Sequence, residues 1–225
     1  MMRKLVLLSW SGGKDSALAL QALRADPSIE VAGLLTSVTR GYERISVHGV
    51  RRVLLERQAE QVKLPLFTIE LDPVTTNDAY ESEFLFALER VRRELPTVKT
   101  IAFGDLFLAD VRAYRERLLA PTDFEPLFPI WGLDTAALAR KCVREGFIAR
   151  VVVVDTTQLD ASFAGHPFDD AFLDELPAKV DPCGERGEFH TFVSDGPGFD
   201  GPVEHEVGEI VLRDGRFAYC DLIPV

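Results

Sequence analysis

Cysteine is scarce in this chain: Cys142, Cys183 and Cys220 are odd in number, and no two are spaced as a CxxC pair. That excludes a disulfide scaffold and suits a reducing cytoplasm, which is the expected location. Long apolar runs are missing as well, and nothing approaches the roughly eighteen residues a membrane helix needs. The N-terminus, MMRKLVLLSWSGGK, has two basic residues before a short apolar run that ends in SGG, with no small-x-small cleavage site. It reads as a first strand and not as a signal peptide. Basic residues are nearly absent from the last third: residues 151–225 hold 4 Lys and Arg against 16 Asp and Glu, whereas residues 1–150 hold 21 against 20. A surface of that sign repels a phosphate backbone, so nucleic acid is not an expected partner, and an acidic surface also serves solubility alone.

What is present suits a folded enzyme. A chain of 225 residues can bury roughly 70% of the surface its unfolded form exposes. Apolar strands alternate with helical patterns: KLVLL, then a helix from about Asp15 to Leu23; EVAGLLTSV, then a helix near 49–62; PLFTIEL, then Asn77 to Leu95; TVKTIAFGDL, then DVRAYRERLLAP; DTAALARKCVREGF, with Asp134 as N-cap, then IARVVVVD at 148–155. Such alternation predicts an α/β fold, a doubly wound and mainly parallel sheet. After Asp155 the rhythm changes to a short helix (FDDAFLDEL), a strand (FHTFV) and a hairpin turning at Asp214 and Gly215. The expected organisation is a nucleotide-binding domain, 1–155, and a small C-terminal α+β annex, 156–225, with acceptor-site residues.

Between the first strand and the first helix stands Ser11-Gly12-Gly13-Lys14-Asp15-Ser16. Two adjacent residues without side chains let backbone N–H groups close on an anion at a helix N-terminus, although glycine also serves an ordinary tight turn. The loop is too short for GxxxxGK[ST] and does not match GxGxxG. SGGKDS resembles the PP-loop of the N-type ATP pyrophosphatases. That resemblance implies an adenine nucleotide alpha hydrolase-like fold, ATP as cofactor, and cleavage between the α and β phosphates. On this reading Lys14 neutralises the leaving pyrophosphate, Ser11 and Ser16 donate hydroxyls, and Mg2+ is expected, with Asp15 either reaching it or bracing the loop. Ser37, at the end of the second strand, is placed for the nucleoside.

Three further stretches extend the resemblance over almost the whole chain: ISVHGVRRVLLERQAEQVKLPL, GDLFLADVRAYRERLL and DPCGERGEFHTFV. With the PP-loop they are similar to the diphthine-ammonia ligase family, and the last, with histidine at 190, resembles its bacterial branch. The resemblance implies an ATP-dependent ligase that adenylates a carboxylate and forms an amide with ammonia. No glutaminase domain is evident, so free ammonia or a separate partner is expected to supply the nitrogen. The acceptor is a small molecule or a modified protein, and a homodimer is one expected assembly. A PP-loop tRNA-modifying enzyme and a non-catalytic ATP-binding sensor are the alternatives.

The residues themselves allow a second cluster. Gly104 and Asp105 close a strand at the edge where ligands bind, Asp105 facing magnesium or the amine, or capping a helix. Arg112 and Arg115, three apart after Asp110, can face the same way to grip a carboxylate or phosphate, or form a solvated helix face. Cys183, Glu185, Glu188 and His190 fall within eight residues. Glu185 and Glu188 are candidates for positioning ammonium or the acceptor, His190 for a base near neutral pH, and Cys183 for contact with substrate. His48 either caps the helix that follows or contacts the nucleotide.

Overall fold

The computed structural model describes residues 3–46 and 48–225; Met1 and Met2, which open the N-terminal stretch, and Val47 in ISVHG lie outside them. Strand β1 (Lys4–Ser9) is the centre of the first sheet. It pairs in parallel with β2 (Ile29–Thr39) on one side and β5 (Thr100–Ala102) on the other. Beyond β2 lies β4 (Leu66–Leu71) and beyond β5 lies β6 (Glu125–Leu127), both parallel, while the two-residue β3 (Arg44–Ile45) joins the end of β2 antiparallel. The crossovers are helices α1 (Lys14–Ala25), α2 (Arg52–Gln61), α3 (Asn77–Glu94) and α4 (Ala109–Leu119). This is the doubly wound α/β architecture expected from the alternation.

β1 shows why its sequence is a near-continuous apolar run. Val6 and Leu8 enter the core under α1 and α2, and Leu7 enters the core under α3 and α4; all three are fully buried. A strand covered on both faces has no side that favours polar residues. The helices begin where hydrogen-bonding side chains can cap them: Thr76 Oγ1 accepts from Ala79 N–H at the head of α3, and Asp134 Oδ1 from Ala137 N–H at the head of α5 (Thr135–Arg144). The N-cap residues of α1, α2 and α4, Gly13, Arg51 and Leu108, make no side-chain cap bond, and at α1 the N-cap is a glycine of the loop itself.

One expected strand changes sheets. β7 (Ile148–Asp155) does not extend the parallel sheet; it pairs antiparallel with β8 (Phe189–Asp195) and with β10 (Phe217–Pro224), and β9 (His205–Arg213) completes a four-stranded second sheet. A boundary after Asp155 therefore cuts this sheet between β7 and β8. The short helix α6 (Asp170–Glu175) lies in the same connection, and the β9–β10 hairpin turns at Asp214 and Gly215, both at positive φ as a type I′ turn requires. The second sheet does not stand apart: Val151–Val154, Phe192 and Ala218 share one buried core with β1, α1 and α2. That shared core presses the annex loop before β8 against the head of α1.

Candidate active site

The PP-loop is held open from behind. Gly12 has φ +77°, and a Cβ there would lie 2.6 Å from Leu55 Cδ1 and 2.7 Å from Gln58 Oε1. Its carbonyl accepts from Gln58 Nε2 at 3.0 Å and from Val193 N–H at 2.9 Å. Gln58 also receives Trp10 Nε1–H at 2.9 Å, so one fully buried amide ties the loop to β1 and β8. Sequence reading passed over Gln58, yet its place in the buried stripe Leu54, Leu55, Gln58, Ala59 marks a polar side chain that must find partners inside. Gly13 approaches β8 closely, with a virtual Cβ 2.9 Å from the Thr191 carbonyl. Thr191 Oγ1, also missed from sequence, accepts from Lys14 N–H at 3.1 Å. Gly13 N–H is shared with Ser11 Oγ at 3.3 Å, and Ser16 Oγ donates back to the Gly13 carbonyl at 2.8 Å. The amides of Asp15 and Ser16 follow in the first helical turn, which has no intrahelical acceptor.

Around this loop lies a cavity of about 270 Å³ lined by Ser11, Gly13, Lys14, Asp15 and Ser16 together with His48, Gly104, Asp105, Arg115, Glu185 and His190. Eleven of the residues singled out from sequence thus meet, from four separate stretches of chain. Gly104 earns its place by packing, since a Cβ would sit 3.0 Å from the Asp15 carbonyl and push the post-β5 loop off the head of α1. A second cavity of about 480 Å³, lined by Ser37, Ser46, Tyr80, Asp110, Tyr114 and others, shares Val111 and Arg115 with the first.

Several side chains depart from their expected roles. Lys14 is 1% exposed and its Nζ is already engaged: it donates to Asp15 Oδ2 at 3.0 Å and to the Cys183 carbonyl, and lies 5.2 Å from the Phe189 ring centre. Against the cost of burial, the charge and hydrogen bond of Asp15 hold its pKa above the ordinary value, so the ammonium is retained. Glu188 is 2% exposed and faces its own loop, accepting from Asp181 N–H and Arg186 N–H at 2.9 Å each. It braces the turn and does not reach the cavity. Cys183 is buried, donates Sγ–H to the Thr135 carbonyl at 3.3 Å, has its thiol pKa pushed well up by burial, and is not among the residues lining the cavity.

The two arginines of α4 diverge. Arg115 enters the cavity over Phe103, with Nε 3.6 Å from Asp105 Oδ2. Arg112 stacks on Phe128 and Trp131, 4.8 and 4.9 Å from the ring centres, and pairs with Glu116 at 2.9 Å. On a helix, residues three apart share a face only loosely, and here aromatic neighbours draw one side chain away. Arg112→Ala is therefore expected to cost about 0.5–2 kcal/mol of stability through the lost stacking and to leave nucleotide affinity within a factor of two. A loss of affinity with unchanged thermal stability would contradict that assignment.

The ionisable groups that do line the cavity are tuned by burial. Glu185 Oε1 accepts from Leu106 N–H at 2.7 Å and Phe107 N–H at 3.4 Å, linking the annex loop to the loop after β5. Burial first, with Asp15 and Asp105 adding, pushes its pKa up to about 7. His48 and His190 stack with ring centres 4.5 Å apart. Burial and the neighbouring Lys14 bring His190 down to about 4, so it is neutral at physiological pH and a weaker base than expected. Buried Asp15 Oδ1 and Asp105 Oδ2 find no hydrogen-bond donor among the described residues. Both carboxyls have raised pKa values, from burial foremost. Two unmatched carboxylate oxygens beside an anion cradle form a donor set that fits Mg2+ completed by phosphate oxygens. Among the described residues there is no cluster of three His, Cys, Asp or Glu for an all-protein metal site.

Comparison with known proteins places two family models on the chain. The model of the diphthamide synthase N-terminal domain matches residues 2–120, more than half of the chain, and that of the diphthamide synthase C-terminal domain matches residues 134–219. Among curated proteins, the diphthine–ammonia ligase of Danio rerio is 29% identical over 92% of this chain and 89% of its own length. Those of Bos taurus and Homo sapiens are each 28% identical over 90% of this chain and 83% of theirs. The first match holds the PP-loop, His48, Asp105 and Arg115, and the second holds Glu185 and His190, the same halves that the cavity joins. The chain belongs to the diphthamide synthase family.

Proposed function

We propose that this chain is an ATP-dependent ligase that adenylates an acceptor carboxylate and then forms an amide with ammonia. The observation that carries the reading is the single cavity where a glycine loop at a helix N-terminus, two carboxylates each with one oxygen short of a hydrogen-bond donor, an arginine and a glutamate converge. Relatives named diphthine–ammonia ligase over nine-tenths of the chain support ammonia as the nitrogen source.

ATP is the first substrate. Its triphosphate is assigned to the PP-loop cavity, against the first-turn amides of α1 and the helix dipole, and its nucleoside to the adjoining cavity beside Ser37. Asp15 and Asp105 would hold Mg2+, which offsets phosphate charge. Arg115, on the wall common to both cavities, is placed to orient the acceptor carboxylate or the α phosphate. A carboxylate oxygen attacks the α phosphorus and pyrophosphate leaves. Ammonia then attacks the acyl carbon, AMP leaves, and the nitrogen gives up a proton. Glu185 is the group assigned to take it, because a base with a pKa about 7 is half ionised at the working pH. The parallel sheet thus supplies the nucleotide side and the annex the acceptor side.

The test is product analysis with α-labelled ATP, Mg2+, ammonium and fractionated small-molecule and protein extract. AMP and pyrophosphate in a fraction-dependent reaction are expected; ADP as sole product would sink the reading. Glu185→Gln keeps an acceptor for the Leu106 amide but cannot titrate. It should lower turnover by about 10²–10⁴ and abolish the rise in rate through pH 7.

A further inference from the structure

We infer that the stacked imidazoles of His48 and His190 form a phosphate-sensing pair, neutral in the free protein and taking one proton from solvent when a triphosphate enters the cradle. The inference rests on the nucleotide reading above and adds a role and a linked proton. Its foundation is geometric. The two rings lie 4.5 Å apart at an interplanar angle of 24°, they come from opposite halves of the fold, and both line the PP-loop cavity. His190 belongs to β8 opposite Val153, one residue before the Thr191 that holds the Lys14 amide. His48 lies between β3 and α2, beside Gly49, whose φ of +64° seats it against the Tyr219 ring. His48 Nδ1 is buried and has no partner among the described residues.

A buried ring nitrogen without a partner is costly unless something completes it, and the cavity that His48 lines is the one that holds the PP-loop. Neutral imidazole offers one N–H donor, and imidazolium offers two donors and a positive charge. Which form is present depends on the groups around the pair. Burial opposes protonation of both rings, Lys14 is the cation that adds to it, and His190 adds to it at His48, where a backbone hydrogen bond to Thr191 works the other way. Asp15 is already paired with Lys14, Asp105 stands with Arg115 across the cavity, and Glu185 is the remaining ionisable group on the annex side. With the cavity free of anion, burial and Lys14 decide the matter and both rings stay neutral.

A triphosphate reverses the local field. Two unit charges about 5 Å apart in an effective dielectric of 20 favour the paired state by roughly two orders of magnitude, and a triphosphate carries several charges. One such charge covers roughly two of the three pH units between about 4 and neutrality, and the further charges of the triphosphate supply the rest. Only one of two stacked rings can take the proton, since the second would meet both the first imidazolium and Lys14. The pair therefore answers to charge in the cradle, while a purely structural stack would remain neutral throughout.

The chain has only four histidines, so imidazole nitrogen resonances of uniformly 15N-labelled protein can be assigned with His48→Gln and His190→Gln. Free protein at pH 7 should show both rings neutral, and they should remain so down to about pH 5. Addition of α,β-methylene-ATP with Mg2+ should convert one of the two to imidazolium shifts. Analogue affinity should also tighten on acidification from pH 7.5 to 5.5, by up to about tenfold per pH unit for one linked proton. Because the ligand's terminal phosphate and Glu185 titrate in the same range, the reference is the double variant His48→Gln with His190→Gln, in which only those contributions remain. Rings that stay neutral while the Gly13 and Asp15 amide resonances shift would overturn the pair and spare the nucleotide reading. Amides that do not respond to the analogue would overturn both.

Discussion

Lys14→Met is expected to destabilise the nucleotide-free protein by about 3–5 kcal/mol, in addition to any effect on ATP. The lysine is 1% exposed and is the cation bonded to Asp15, whose Oδ1 already lacks a donor. Removing it leaves a buried carboxyl uncompensated, frees the Cys183 carbonyl, and removes a cation from beside the Phe168 and Phe189 rings. The double variant Lys14→Met with Asp15→Asn leaves no charge stranded and should recover most of the loss. Urea unfolding of the two variants and the wild type measures this. If Lys14 served only as a phosphate ligand, the single variant would unfold at the wild-type midpoint. Such a result would return the lysine to the role its place in the motif suggests.

Asp155→Ala should cost about 1.5–3 kcal/mol through the lost hydrogen bonds to the carboxylate, from a position outside the cavity. Asp155 ends β7, is 1% exposed, and accepts from Arg216 Nε at 3.0 Å and Nη2 at 2.6 Å, from Thr157 N–H and Oγ1–H at 3.1 and 2.7 Å, and from Gln158 Nε2 at 3.0 Å. Arg216 foremost holds this carboxyl well below the usual carboxylate range. A depressed carboxylate contributes stability that is fully present above its unfolded pKa of about 4 and is lost as pH falls through its folded value. The gap between wild type and variant should accordingly be constant from pH 6 to 8 and narrow in acid. The same corner carries the annex loop, since Asp155 N–H donates to the Glu188 carbonyl at 2.9 Å. Turnover that depends on Glu185 should fall with it. A variant within 1 kcal/mol of wild type would show that the hydrogen bonds are made equally well by water.

Much of this organisation was legible before the structure. Strand–loop–helix order at SGGKDS, the helix caps at Asp134, and the hairpin at Asp214 and Gly215 follow from local chemistry, and local chemistry is what a sequence displays. What was not legible depended on partners far away in the chain. The run Val151–Val154 within IARVVVVD is apolar because it is covered on both faces, which holds in either sheet, so its composition could not tell a fifth parallel strand from the first strand of an antiparallel annex. Lys14 shows its place in the motif, but not that the annex sets the Cys183 carbonyl against it. Glu185 and Glu188 are alike in sequence. One faces the loop after β5 and the other folds back on Asp181 and Arg186, a difference set by the turn at Gly184, where φ is +68°, and Gly187, where φ is +80°. Arg112 and Arg115 separate for a similar reason, because Phe128 and Trp131 lie to one side of α4.

The most direct test of the account is pyrophosphate exchange. The chain, Mg-ATP and an acceptor-containing fraction are incubated with labelled pyrophosphate and no ammonium, and label returning to ATP is measured. The proposed adenylate predicts exchange that depends on the acceptor fraction, that is retained in Glu185→Gln, whose part comes after adenylation, and that gives way to net AMP formation once ammonium is added. Acceptor-dependent AMP formation with ammonium, but no exchange without it, would contradict a free adenylate step and with it the division of labour between the PP-loop side and the annex side.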